Sequence, residues 1–140
     1  LDTQYLIEFL REKGLKVTSQ RLAIFNFILS RKDHPSAEQI YQKIRGEYPT
    51  ISLGTVYKNL HLLKEIGLIQ ELGFDEGSVR FDPDMEVHIN MVCTNCRKIT
   101  DYKDEKVKNL WNDLISNLAI KPKGHRLDLY YECDDCKSNF

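Results

Sequence analysis

SLGTVYKNLHLLKE (52–65) sets Leu53, Val56, Leu60 and Leu63 at i, i+3, i+7 and i+10, one apolar stripe along a helix. Ser52 precedes the stripe as a cap, and Gly67 follows it as a stop. The other face carries Thr55, Lys58, Asn59 and His61, with Tyr57 beside them. A recognition helix needs this division: an apolar side for its own core, and short polar side chains that reach phosphates and base edges. Many surface helices share the pattern, so its neighbours decide what it means.

Upstream, Tyr5, Leu6, Phe9 and Leu10 recur at helical spacing within 3–13, and Gly14 closes that segment. Thr18 caps a second helix through Leu22, Ile24, Phe25, Ile28 and Leu29. After RKDHP, Ser36 caps a third, with Glu38 in its first turn and Ile40, Tyr41 and Ile44 facing inward. Downstream, LIQEL (68–72) and SVRFD (78–82) read as two strands around the turn Phe74-Asp75-Glu76-Gly77. Three helices, a recognition helix and a hairpin make a winged helix-turn-helix. In that setting DNA binding is the preferred reading of 52–65.

Beyond Pro83 the pattern changes. Val87–Val92, Lys98–Tyr102 and Leu127–Tyr131 read as strands, and Asp104–Leu118 as a helix with Val107, Leu110, Trp111, Leu114 and Ile115 on one side. The fold class is therefore α+β: a winged-helix DNA-binding domain over 1–83 and a small C-terminal α/β domain over 84–140. Three strands and one helix cover their own faces poorly, so dimerisation is expected.

All four cysteines fall in two C-x-x-C pairs, Cys93 with Cys96 and Cys133 with Cys136. Paired thiolates at this spacing close a tetrahedral zinc site with no open position, which is a structural site. A thioredoxin-like pair would be followed by a helix, whereas RKITDY follows Cys96. The net charge of −1 hides an asymmetry. Residues 1–69 hold ten Lys or Arg against seven Asp or Glu, and 70–140 hold ten against fourteen. That excess is a modest footprint for nucleic acid, so motif placement carries the argument. No apolar run reaches the roughly 18 residues of a membrane span. LDTQYLIEFLREK lacks the regions of a secretory leader, so a cytoplasmic location is expected.

GLKVTSQRLAIF (14–25), HPSAEQIY (34–41), SLGTVYKNL (52–60), GLI (67–69), RFD (80–82), CTNC and CDDC follow one another along nearly the whole chain. In that order and spacing the sequence resembles the ferric uptake regulator superfamily, and most closely its peroxide-responsive branch. The resemblance implies a winged helix joined to a dimerisation domain. It also implies a metal-responsive transcriptional repressor that binds double-stranded DNA as a homodimer, with no small-molecule substrate. Tyr57 matches the family's base-contacting tyrosine. Lys16 stands where many members place an arginine that reaches the minor groove. Ser52, Thr55, Lys58 and Asn59 are added as phosphate or base contacts.

The same resemblance implies a regulatory metal site of His34, Asp82, His88, Asn90 and Asp101, drawn from both domains. Two imidazoles with two carboxylates suit Fe²⁺ or Mn²⁺, with Zn²⁺ as a substitute. Family members commonly have a second histidine where this chain has Asn90. Either Asn90 is a bystander, or its amide oxygen is a ligand that leans the site toward Mn²⁺ or Fe²⁺. Asp101, where iron-uptake members often carry Glu, is the residue that resembles the peroxide-sensing branch. There, bound Fe²⁺ and peroxide oxidise nearby histidines, here His34 and His88. His125 matches an additional site in some relatives, but Val87 and Ile89 fall where its partners would, so no ligand role is expected. The rival readings are an iron- or zinc-uptake repressor of the same family and, further off, a metal-dependent hydrolase, which would need an accompanying catalytic motif.

Overall fold

Asp2, Thr18, Ser36 and Ser52 each accept the backbone N–H of the third residue on, and these bonds start the first four helices. They are α1 (Thr3–Glu12), α2 (Ser19–Leu29), α3 (Ala37–Ile44) and α4 (Leu53–Glu65). Each such cap is worth about 0.5–2 kcal/mol. Ser36 forms a full capping box with Gln39, whose side chain returns a bond to the Ser36 N–H. Glu38 is left to bond elsewhere. The computed structural model describes residues 2–73, 79–122 and 124–137, which form two compact units, Leu1–Met85 and Glu86–Phe140.

In the first unit, α1 and α4 end the same way. Gly14 and Gly67 take φ of +72° and +79°, and the next N–H reaches back to the last turn: Leu15 to Leu10 at 2.8 Å, Leu68 to Leu63 at 3.0 Å. This Schellman closure turns the chain out of α4 into β1 (Gln70–Leu72), which pairs antiparallel with β2 (Arg80–Asp82). The expected turn 74–77 lies outside the described residues. A Cβ at Gly67 would touch nothing within 4 Å, so only the backbone conformation resists a side chain there. Gly67→Ala is therefore expected to cost roughly 1–2 kcal/mol, read as a lower urea midpoint at unchanged slope. An unaltered midpoint would refute that role for Gly67.

The hydrophobic core of this unit runs from Leu6 and Leu10 through Ile24, Phe25, Ile28, Ile40, Val56, Leu60 and Leu63 to Ile69 and Phe81. The segment before α3 joins the hairpin as well. The Phe81 N–H donates to the Pro35 carbonyl at 3.0 Å, and Ser36 bridges to Arg80. This fixes the chain around His34 alongside β2.

The second unit is a three-stranded sheet in the order β4 (Ile99–Tyr102), β3 (Ile89–Cys93), β5 (Leu127–Tyr131). The β3–β4 pair is antiparallel, and β3–β5 is parallel, with α5 (Glu105–Ser116) in the connection. A four-residue helix, α6 (Asp134–Lys137), follows β5 and has no counterpart among the elements expected from sequence. The apolar side of α5 is only partly covered: Val107, Trp111 and Ile115 are half-buried, while Leu110 and Leu114 remain 72% and 52% exposed. Among the described residues of this unit, the buried apolar side chains are Val92, Cys93, Ile99, Cys133 and Cys136. Three of the five are cysteines. No described helix is long and apolar enough to cross a membrane.

Candidate metal centres and DNA-contacting face

Cys93 ends β3, and a tight turn carries the chain to Cys96. The Arg97 N–H donates to the Cys93 carbonyl at 3.0 Å, with Arg97 at φ +64°, and the Cys93 N–H donates to Lys98. Cys133 follows β5, and the N–H groups of Cys136 and Lys137 both fold back onto its carbonyl at 3.0 Å. Because β3 and β5 are parallel neighbours with Cys93 opposite Tyr131, the two turns leave the sheet side by side.

The four sulfurs lie within 4.8 Å of one another, with Cys93–Cys136 at 3.7 Å and Cys96–Cys133 at 3.8 Å. A tetrahedron of sulfurs about 2.3 Å from a zinc ion has edges of about 3.8 Å, so these free thiols fit a closed four-thiolate site. The Cys133 N–H aimed at Cys93 Sγ, with further backbone N–H groups, pulls the Cys93 thiol down to about 6. Cys136 moves the other way, to about 12: the Asn95 side chain lowers it, but Cys133, burial and the remaining thiols outweigh that. Thiolates this close repel one another, and a divalent cation at their centre removes the conflict.

The other sequence-expected ligands fall into two groups, one in each unit. In the first unit, His34 sits at φ +51°, in the left-handed region that few non-glycine residues adopt. Its carbonyl accepts from Arg80 Nη1 at 3.3 Å, and its Nε2 lies 3.4 Å from Asp82 Oδ2. Asp82 Oδ1 accepts the Asp84 N–H at 2.9 Å. Both side chains are almost fully buried. A buried carboxylate is costly unless paired or bound to an ion, so this pair is not incidental.

In the second unit, His88, just ahead of β3, and Asn90, on β3, are buried, and Asp101 is the β4 partner of Asn90. His88 Nδ1 lies 2.7 Å from the Glu86 carbonyl oxygen, which can only accept, so Nδ1 carries a proton. Its Nε2 then faces Asn90 Oδ1 at 3.1 Å and Asp101 Oδ1 at 3.5 Å. One nitrogen and two oxygens converge in the manner of a cation site with hard and borderline donors. His125 packs its ring 5.3 Å from Trp111; burial lowers its pKa, and His88 adds to the effect. That is a packing role, and neither Val87 nor Ile89 offers a donor atom.

On the α4 face, Ser52, Tyr57 and Lys58 are exposed, Thr55 is half-buried, and Lys16 is exposed on the loop before α2. Asn59 is a correction. The polar-face expectation places it outward, but it is buried, with Nδ2 donating to the Thr55 carbonyl at 2.8 Å and Oδ1 accepting from Arg21 Nε at 2.9 Å. Arg21 Nη1 also donates to the Lys16 carbonyl at 2.6 Å, so one guanidinium ties the Lys16 loop to α4. Asn59 therefore acts inside the domain, on the position of Lys16. The Tyr57 hydroxyl donates to Glu38 Oε1 at 2.6 Å; that bond holds the Glu38 carboxyl below its usual range and raises the tyrosine. Nothing in the spacing of Arg21 or Glu38 along the sequence marks a partner 38 or 19 residues away.

The model of the ferric uptake regulator family matches residues 12–130. The peroxide-responsive repressor PerR of Staphylococcus aureus is 33% identical over 131 residues, which is 94% of this chain and 88% of that protein. Among solved structures, the Campylobacter jejuni peroxide stress regulator is 35% identical with a TM-score of 0.74, covering 94% of this chain and 98% of that one. The Helicobacter pylori ferric uptake regulator Fur, whose structure is described as having three functional metal-binding sites, shares the fold at 24% identity and a TM-score of 0.77 over 96% of this chain and 90% of that one. On the family match, and on a relative this similar over almost its whole length, the chain belongs to the ferric uptake regulator family.

Proposed function

We propose that this protein is a metal-dependent, peroxide-responsive transcriptional repressor, a regulator rather than an enzyme, acting in the cytoplasm as a homodimer on double-stranded DNA. The observation that carries the reading is the burial of a histidine beside a carboxylate in each unit, His34 with Asp82 and His88 with Asp101. A single Fe²⁺ or Mn²⁺, or Zn²⁺ in their place, held by His34, Asp82, His88, Asn90 and Asp101 would join the N-terminal unit to the C-terminal one. An effector acts only through what it binds better in one state than another, and a ligand set split between two units has that property. The four cysteines hold a structural zinc that stays in place throughout.

Tyr57, Lys58, Ser52, Thr55 and Lys16 are the DNA contacts on this reading, with Asn59 supporting Lys16 through Arg21. The exposed Leu110, Leu114, Leu118 and Ile120 favour a second copy as the cover for the C-terminal unit. Two copies would present two recognition helices to paired half-sites. Names of relatives support the peroxide response: a peroxide-responsive repressor and a peroxide stress regulator are among them. Ferrous iron held by these residues would supply the reducing power that cleaves the O–O bond of peroxide, and on this reading His34 and His88 would be the side chains that take up oxygen.

The test is an anaerobic titration of duplex affinity with Mn²⁺, Fe²⁺ and Zn²⁺, followed by peroxide and peptide mass spectrometry. The expected result is metal-dependent binding, lost after peroxide with Fe²⁺ but kept with Mn²⁺, and one added oxygen on peptides holding His34 or His88. Oxidation confined to cysteine or methionine would leave a regulator that reads metal alone and would end the peroxide reading.

A further inference from the structure

Asn90 interrupts a set of charged and imidazole donors with a neutral amide, and the surrounding hydrogen bonds dictate which end of that amide faces His88. Asn90 and Asp128 are direct partners on the parallel strands β3 and β5, and Asn90 Nδ2 donates to Asp128 Oδ1 at 3.1 Å. The Asp128 carboxylate is itself held on both oxygens by Arg126: Nε donates to Oδ1 at 3.0 Å and Nη2 to Oδ2 at 2.6 Å. The Tyr130 hydroxyl adds a longer bond to Oδ2 at 3.4 Å. A carboxylate gripped in this two-pronged way accepts on both oxygens and has only lone pairs to offer. Rotating the Asn90 amide would set its oxygen against Asp128 Oδ1, acceptor to acceptor. The amide nitrogen is therefore committed to Asp128, and Oδ1 is turned toward His88 Nε2, 3.1 Å away, on the side where Asp101 Oδ1 also points.

We propose that Asp128, clamped by Arg126, is the positioning residue that fixes the Asn90 amide with Oδ1, the ligand atom on the reading above, facing the regulatory metal. The proposal rests on the regulatory-site reading above and extends it to a residue outside that set. An amide oxygen is a hard, neutral donor. It leaves the site less negative than a carboxylate would, and less attractive to zinc than a third imidazole. Polarisation by Asp128 compensates in part, because an anion at the amide nitrogen pushes electron density toward its oxygen. Outer partners of this kind typically change metal affinity about 10–100-fold when removed.

The experiment is a two-by-two cycle on the full chain with its four-cysteine site loaded. Mn²⁺ affinity is read from the loss of the aqueous Mn²⁺ paramagnetic resonance signal. Asp128→Asn keeps the shape but lets the facing amide turn either way, and it is expected to weaken Mn²⁺ binding by about 10-fold or more. Asn90→Ala is expected to weaken it at least as much. Adding Asp128→Asn to Asn90→Ala is expected to change nothing further, a non-additivity that a merely structural role for Asp128 would not produce. Thermal unfolding and retained zinc stoichiometry verify that each variant is folded. His88→Ala separates the two levels of argument. If it abolishes Mn²⁺ binding while Asn90→Ala leaves affinity unchanged, Asn90 is a bystander and the proposal fails with the site intact. If His88→Ala has no effect, the site reading itself fails. Equal losses from Asp128→Asn with and without Asn90 would overturn the positioning role.

Discussion

Cys93→Ser is expected to release the structural zinc and unfold residues 86–140 while the N-terminal unit stays folded. The second unit has little else to hold it, since among its described residues the buried apolar side chains beyond the cysteines are Val92 and Ile99. Small cores of this kind need a staple, and structural zinc in small domains contributes apparent binding energies of about 10–16 kcal/mol. Serine retains the shape but presents a hydroxyl that does not ionise as a thiol does, and it loses the sulfur that Cys133 N–H approaches at 3.4 Å. The first unit has its own core from Leu6 to Phe81 and no cysteine in it. Two probes separate the units. Trp111, the single tryptophan, sits on α5 and reports the C-terminal unit by fluorescence, whereas helical circular dichroism reports mainly α1 to α4. The expected variant shows no cooperative fluorescence transition on heating but keeps most of its helical signal, and native mass spectrometry finds it without zinc. A strong chelator acting on the unsubstituted protein should give the same result. A variant that keeps zinc and the fluorescence transition would remove the four-cysteine site from the structural supports of this unit.

The parts of this molecule that were legible in its sequence are those governed by neighbours along the chain. Thr18, Ser36 and Ser52 are caps because a hydroxyl three residues ahead of an N–H is all a cap requires. Val56, Leu60 and Leu63 are buried because helical periodicity alone puts them on one side. The cysteine pairs were legible for the same reason. What escaped was set by partners far away in sequence. Asn59 reads as one more polar residue beside Lys58, and only the approach of Arg21 from α2 turns it inward. Leu110 and Leu114 match the period of a buried stripe, yet a three-stranded sheet is too narrow to cover them. Asp128 carried a faint signal: an aspartate at the second position of LDLYY is out of keeping with a strand unless it has a partner. Strand register supplies that partner, and a single sequence does not reveal register between strands 38 residues apart.

Asp82→Asn is expected to leave the DNA affinity of the metal-free protein unchanged and to remove the gain that Mn²⁺ confers. The substitution is nearly isosteric, and its amide oxygen can still accept the Asp84 N–H that now reaches Asp82 Oδ1 at 2.9 Å. The local turn therefore survives. What disappears is the charge beside His34 Nε2, 3.4 Å away in a buried setting where a charged donor binds a cation much more strongly than a neutral one. Allosteric couplings typically amount to 5–150-fold, about 1–3 kcal/mol. With two of the proposed ligands in the N-terminal unit and three in the C-terminal one, the coupling would fall toward the upper end, so the unsubstituted protein should gain about 100-fold in duplex affinity with saturating Mn²⁺. Linkage makes the test two-sided: operator DNA must raise Mn²⁺ affinity by the same factor that Mn²⁺ raises DNA affinity. In Asp82→Asn both factors should fall toward one together, because the two are one coupling free energy measured from opposite ends. Loss of DNA binding in the metal-free variant would instead mean that Asp82 supports the wing through β2. A full Mn²⁺ response in a variant that binds DNA normally would place the regulatory ion somewhere other than His34 and Asp82.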